Sequence, residues 1–234
     1  MNERHTPFSP LVLFHGSDHV IERPMLGLGR EHNDFGRGFY CTEDPELAKE
    51  WAATHDRDGV ANRYELDASD LTVLRLDSPE WSVLHWISVL VRHRVFRVRN
   101  PVAARGLRYL SERFPVAVEG FDLVVGWRAD DSYFDYAEAF LNNAITVQQL
   151  AAAMRLGGLG LQVVLKSKRA FSPSRLRFVG AETADRTVYA VRRETRNDAA
   201  REAYERLLLE LDEKGLYLSD VIRRNIRNGD PRLR

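Results

Sequence analysis

The stretch "NDFGRGFYCTEDPELAKEWA", residues 33–52, decides how the chain is read. Gly36 and Gly38 lead into Phe39-Tyr40-Cys41-Thr42, an aromatic run that predicts a short strand. Asp44 as N-cap and Pro45 in the first turn then predict a helix through the following residues. Asp34-Phe35-Gly36 spells a kinase motif, but no "HRD" and no lysine strand accompany it, which excludes a kinase. The reading that remains is a turn closing a loop over a ligand.

Working outward, "LVLFHG" (11–16) predicts a buried strand ending at a glycine. The segment between it and Phe39 is rich in Gly, Pro, Asn and Asp and reads as an ordered loop. Its "GLGLGR" lacks the Lys-Ser/Thr ending and preceding strand of a phosphate loop. "NRYELD" and "LTVLRLD" predict strands. Ser78-Pro79 predicts the start of a helix whose Trp81, Leu84, Ile87, Leu90 and Val91 share one face. Asn100-Pro101 predicts another, to about Phe114. "FDLVVGW" (121–127) predicts a strand that opens into "RADDSYFD". Two helices follow, the second announced by the capping-box pair Thr146 and Gln149. "GLGLQVVLKS" (158–167) and "LRFVGAE" predict late strands. From about residue 184 the composition becomes helical and charged. Strands and helices without regular alternation predict an α+β fold rather than a doubly wound parallel sheet. The division expected is a domain over 1–183 and a helical C-terminal extension over 184–234.

Bulk properties narrow the function classes. Lys+Arg and Asp+Glu both number 34, so no global charge argues for nucleic acid or an anionic membrane. Basic clusters at 92–99 and 223–234 read as solvated helix faces. The single cysteine, Cys41, excludes an internal disulfide and predicts a reducing, cytoplasmic setting. No apolar run approaches the roughly 18 residues of a membrane span, and the first residues lack a signal-peptide pattern. His15 and His19 stand four apart, but "FHGSDH" reads as strand and turn, not the helix that would aim both imidazoles at a metal; no metal is expected.

Three strand ends carry the chemistry. His15-Gly16 closes the first strand, Gly36 and Gly38 precede Phe39-Tyr40, and Gly158 and Gly160 precede Gln162. Glycine beside a strand often marks close approach of another molecule to the main chain. Three such places, each beside a group able to hydrogen-bond or stack, predict a cleft for a flat, polar ligand.

"LFHGS", "DFGRGFYCTEDPELAKEWA", "GWRADDSYF" and "LGLQVVLKS" together resemble a bacterial ADP-ribosyltransferase-like family, long catalogued as a domain of unknown function, over about residues 11 to 180. The resemblance implies a split β-sandwich with flanking helices and NAD as co-substrate, without a metal. It implies that His15 binds the adenine-side ribose, that the Gly16 backbone pairs with the nicotinamide amide, and that Tyr40 stacks on the nicotinamide ring. Ser17, Asp34, Phe35, Gly36, Gly38 and Phe39 complete the implied NAD-binding set. On a later strand the family has a glutamate against the nicotinamide-ribose 2′-hydroxyl; here Gln162 takes that place. An amide can hydrogen-bond but cannot act as a general base. The carboxylate is therefore expected from Asp130 or Asp131.

The implied activity is mono-ADP-ribosyl transfer to a macromolecule by a toxin of a toxin–antitoxin pair. A non-catalytic nucleotide- or partner-binding module on the same fold, and an NAD glycohydrolase, are the alternatives. In the tail, Tyr204, Leu207, Leu208 and Leu211 recur at helical spacing and resume at Leu216 and Leu218, a stripe that must bury against the core or a partner. The family association suggests a small antitoxin as such a partner.

Overall fold

The computed structural model of the chain describes residues 10–129, 131–156, 160–210 and 212–233. Within them the strands, numbered in chain order, sort into two sheets. One is antiparallel in the order β1 (Leu11–Ser17), β3 (Gly59–Leu66), β7 (Leu176–Ala184). Its register runs from Leu11 opposite Leu66 to Ser17 opposite Val60. The other has the order β2 (Phe39–Cys41), β6 (Leu161–Leu165), β5 (Leu123–Trp127), β4 (Val73–Arg75). β4 and β5 pair in parallel, which requires a crossover, and α2 (Val83–His93) and α3 (Pro101–Arg113) lie in that connection. The fold is α+β, as the irregular alternation of elements predicts.

β5 and β6 are apolar at nearly every position because both of their faces are covered. Leu123, Val125, Val163 and Leu165 join Leu13, Tyr64, Leu66 and Cys41 in a core between the sheets. Val124 and Val164 point the other way, into a larger core with α2, α3, α4 (Asp131–Leu141) and α5 (Val147–Leu156). α1 (Pro45–Ala52) covers β1 and β3. Among the described residues, no helix is long and apolar enough to cross a membrane.

Three helix starts follow their sequence signals. Asp44 accepts from the Glu46 amide at 2.8 Å and Asn100 from the Ala103 amide at 2.8 Å. Thr146 and Gln149 form their reciprocal pair, at 3.0 and 3.1 Å. Ser78-Pro79 does not start a helix: residues 78–81 form a turn closed by the Trp81 amide on Ser78 O, and α2 begins at Val83 behind Ser82. His85 Nδ1 accepts from the Ser82 amide at 3.1 Å, a cap built on histidine where the sequence rule looks for Glu or Gln.

The C-terminal segment folds against the rest. α6 (Arg186–Leu209) packs on α1, α4 and α5, and α7 (Leu218–Arg223) packs on α3. Leu216, Leu218, Val221, Ile222 and Ile226 are buried in the larger core, with Tyr204 and Leu207 against it. Leu208 of the expected stripe is exposed, as is its neighbour Leu209, and Leu211 lies outside the described residues.

Candidate functional site

β1 and β2 touch at one point and then part. Phe14 and Thr42 exchange backbone hydrogen bonds, 2.7 Å from the Phe14 amide and 2.9 Å from the Thr42 amide. Along an antiparallel strand, alternate residues turn their N–H and C=O to alternate sides. Gly16, two residues on, therefore turns its amide and carbonyl to the same edge as Phe14, away from β3. Among the described residues, no strand or loop pairs with that edge beyond the Phe14–Thr42 bridge. A cleft opens there. Why position 16 is glycine is a separate matter: a Cβ would stand 2.2 Å from Ala48 O and 2.9 Å from the Ala52 amide, so α1 itself requires the absence of a side chain.

His15 reaches across the parting strands. Its Nδ1 lies 2.7 Å from Tyr40 O, and its ring stacks on Phe39 at 4.2 Å between centroids. A carbonyl only accepts, so Nδ1 carries the proton and Nε2 of the neutral ring is an acceptor. Burial pushes the imidazole below its usual pKa, which keeps it neutral. The Tyr40 hydroxyl is committed to the preceding loop: it accepts from the Phe35 amide at 3.0 Å and donates to Gly36 O at 2.6 Å. The ring of Tyr40, not its hydroxyl, is what the cleft can use.

At the base of the cleft sits Asp34, 5% exposed. Its Oδ2 accepts from the Ala129 amide at 2.8 Å and from Gln162 Nε2 at 3.0 Å, and its Oδ1 accepts from Arg94 at 3.0 Å. Burial raises the Asp34 carboxyl above the ordinary carboxylate range, against the downward pull of those donors and of Arg128. Gln162 Nε2 also donates to Trp127 O at 3.4 Å. With both amide hydrogens so directed, Oε1 is the polar atom that the Gln162 side chain has left to offer. A flipped amide would set Oε1 against a carboxylate and a carbonyl, so chemistry fixes the orientation.

Two contiguous spaces result. The inner cleft, about 300 Å³, is lined by His15, Gly16, Asp34, Tyr40 and Gln162 together with Asn33, Trp51, Arg94, Arg128 and Ala129. It shares His15, Gly16, Asn33, Tyr40 and Trp51 with a groove of about 1010 Å³ under the 18–30 loop, which also takes in Ser17, Gly38 and Phe39. Phe35 and Gly36 line neither. Phe35 is fully buried in the larger core, and Gly36 ends a turn closed by its own amide on Asn33 O at 2.9 Å. The Asp-Phe-Gly turn thus supplies Asp34 to the floor of the cleft and the main-chain anchor for Tyr40. Gly38 packs against Gly29 and Val164, leaving no room for a Cβ. Asp130 lies outside the described residues, and Asp131 is the first residue of α4, two positions after Ala129.

Asn33, Trp51, Arg94 and Arg128 escaped the sequence reading. Arg128 stacks over the Trp51 indole at 4.5 Å and Arg94 over Phe134 at 4.7 Å. Arg128 carried one available signal, its place immediately after a strand that ends at the cleft. Arg94 belongs to the basic cluster read as a solvated face; its guanidinium instead reaches the buried Asp34. Among the described residues, no group of three or more His, Cys, Asp or Glu side chains is arranged to hold a metal ion. A separate, mainly apolar cavity of about 730 Å³ lies beyond Trp127, between Trp81, Met154 and Leu233.

A family model described as "Protein of unknown function (DUF3990)" matches residues 11–178. No curated protein and no solved structure matches the chain.

Proposed function

The chain belongs to the DUF3990 family, and on that premise and the geometry of the cleft we propose that it is an NAD-dependent mono-ADP-ribosyltransferase acting on a macromolecule. The observation that carries this reading is the convergence of His15, the unpaired edge of Gly16, the ring of Tyr40 and the amide of Gln162 on one cleft. These come from β1, β2 and β6, far apart in the chain. The paired three- and four-stranded sheets, parted past the Phe14–Thr42 bridge, support the split-sandwich reading of the fold.

Each part has a task in the proposed reaction. The Gly16 amide and carbonyl offer a donor and an acceptor side by side, the complement of a carboxamide, and Tyr40 offers a face for the nicotinamide ring. His15 Nε2 accepts a ribose hydroxyl. The outer groove brings Arg23 and Arg30 toward a pyrophosphate and Met25 and Leu28 toward a base. The inner cleft of about 300 Å³ and the outer groove of about 1010 Å³ lie at the two ends of the roughly 300–1,000 Å³ that small-ligand sites span, which suits the two halves of a dinucleotide.

The bond between the nicotinamide ring nitrogen and ribose C1′ breaks. Its electron pair goes to the ring, which leaves as neutral nicotinamide, and positive charge develops on the ribose. Holding the leaving ring contributes through positioning. Gln162 Oε1 accepts a ribose hydroxyl whose hydrogen bond strengthens as that charge grows. The acceptor's nucleophile then bonds to C1′ and releases its proton. Asp131, or Asp130 beside it, is the proposed base for that proton. The family resemblance extends the reading to a toxin restrained by a small partner protein.

The test is incubation of purified, folded protein with adenine-labelled NAD and a bacterial extract. Transfer should label macromolecules and release equimolar nicotinamide. Nicotinamide with free ADP-ribose would identify a glycohydrolase, and NAD binding without cleavage a binding module. Neither binding nor cleavage would end the NAD reading.

A further inference from the structure

Gln162 is unusual among the cleft residues in that its functional atom is chosen by another side chain. An amide in a cleft can present either a donor or an acceptor. Here Nε2 points at Asp34 Oδ2 at 3.0 Å and at Trp127 O at 3.4 Å, and Oε1 meets no donor among the described residues. Trp127 O alone would hold the amide weakly, because 3.4 Å is a long hydrogen bond and the carbonyl also accepts from Trp86 Nε1 at 2.9 Å. The carboxylate is the stronger acceptor and the closer one. Asp34 is itself held in place, by the Ala129 amide on one side and Arg94 on the other.

We propose that Asp34 is the positioning residue of this cleft: it fixes the Gln162 amide so that the cleft presents an acceptor oxygen, and so selects ligands that bring a hydroxyl or N–H to that point. The inference rests on the NAD reading for the identity of the ligand, but not for the pairing itself. Asp34 touches no ligand directly in this scheme. Its charge is balanced within the protein by Arg94, so its contribution is the orientation of its neighbour rather than proton transfer. Burial raises its carboxyl above the ordinary range, and the Ala129 amide, Gln162 and Arg94 pull the other way, so it is these donors and not the burial that favour the ionised form.

The swap of the two side-chain types tests this. In Gln162→Glu two carboxylates face one another at the present 3.0 Å contact, and they can coexist only by sharing a proton. The other charged or titratable groups around the pair are Arg94, Arg128, Tyr40 and His15; of these His15, its pKa lowered by burial, is the one that takes up a proton on the acid side, and the wild type carries it too. The Gln162→Glu protein should therefore melt several degrees lower at pH 8 than at pH 6, relative to wild type at each pH. Its NAD turnover should fall at least tenfold at pH 8 and recover toward pH 6. Asp34→Asn should keep the fold but lose at least tenfold in kcat/KM, with no such pH recovery. The double variant Asp34→Asn/Gln162→Glu restores a donor facing a carboxylate. It should regain most of the melting temperature and lose the pH dependence that Gln162→Glu alone introduces.

If Gln162→Glu melts like wild type at both pH values and the double variant rescues nothing, Asp34 does not position Gln162. If the melting pattern appears as expected while wild type neither binds nor cleaves NAD, the pairing stands and the NAD reading fails. If wild type is active and Asp34→Asn retains full kcat/KM, the positioning role is overturned with the NAD reading intact.

Discussion

Gln162 Nε2 donates to Asp34 Oδ2 at 3.0 Å, tying the start of β6 to a loop 128 positions earlier in the chain. The pair is anchored from a third place, Arg94, which follows α2 and reaches Asp34 Oδ1 at 3.0 Å. Sheet, loop and inter-helix segment thus meet on one buried carboxylate.

Arg94→Ala should uncover the cost of that burial. Losing a partly buried partner of a buried charge is expected to destabilise by about 2 kcal/mol at neutral pH. The sign with pH follows from the raised carboxyl of Asp34. Above the usual value of 3.8 and up to its raised value, the folded protein binds the proton that the unfolded chain has released, so acidification favours folding there. The deficit of Arg94→Ala relative to wild type should shrink as pH falls into that window. Urea titrations of both proteins across pH 8 to 4.5 measure it, and a deficit constant with pH would count against the assignment.

Tyr40→Phe and Tyr40→Ala should separate two jobs of one side chain. The hydroxyl serves the Phe35 amide and Gly36 O, so Phe should cost about 1–2 kcal/mol of stability and leave ring stacking intact. Ala removes the ring as well and should abolish NAD binding measured by calorimetry. Equal binding losses in the two variants would move the role from the ring to the hydroxyl.

Much of this architecture could be read in advance because its signals are local. Asp44-Pro45, Asn100-Pro101 and Thr146/Gln149 each satisfy backbone donors within one turn, and the doubly buried runs at 123–127 and 161–165 are apolar apart from Gln162. Ser78-Pro79 carries the same signal as Asn100-Pro101 and failed because Ser82 and His85 form the cap four residues later. The cleft was legible as strand ends at His15-Gly16, Tyr40 and Gln162, though Gly158 before the third lies outside the described residues. Its floor was not, since Asp34 looked like part of a turn and Arg94 like surface charge. Nothing in either neighbourhood encodes a partner 60 or 128 positions away. Gly16 was singled out for ligand approach, yet its lack of a side chain is set by Ala48 of α1.

The buried histidines give a second pH dependence of opposite sense. Burial lowers the pKa of His15, His85 and His93 below 6.5. Their stabilising effect is complete above about pH 6.5 and is lost as pH falls from there through the lowered folded values, because the unfolded chain takes up protons first. His15→Gln should flatten the fall in melting temperature between pH 7.5 and 5 relative to wild type. An unchanged slope would mean that His15 is solvated rather than buried against Phe39 and Tyr40.

Gly106 and Leu218 should prove coupled. Leu218 of α7 is fully buried over Gly106 of α3, where a Cβ would stand 2.4 Å from its Cδ2. Leu218→Ala should cost about 3 kcal/mol by leaving a cavity. Gly106→Ala adds a methyl into occupied space, offsetting the gain of up to about 1 kcal/mol that Ala brings to a helix. In the double variant the new methyl fills part of the cavity, so its loss should fall below the sum of the two single losses. Strict additivity in chemical denaturation would show that α7 does not seat on α3. The same packing bears on how a partner of the C-terminal segment can be sought. A chain cut near residue 195 loses Leu216, Leu218, Val221, Ile222 and Ile226 from the core and should unfold, so its failure to bind would carry no meaning. Leu209→Glu is the informative change: Leu209 is 85% exposed, stability should move by less than about 0.5 kcal/mol, and lost co-purification of a partner would then report on the surface itself.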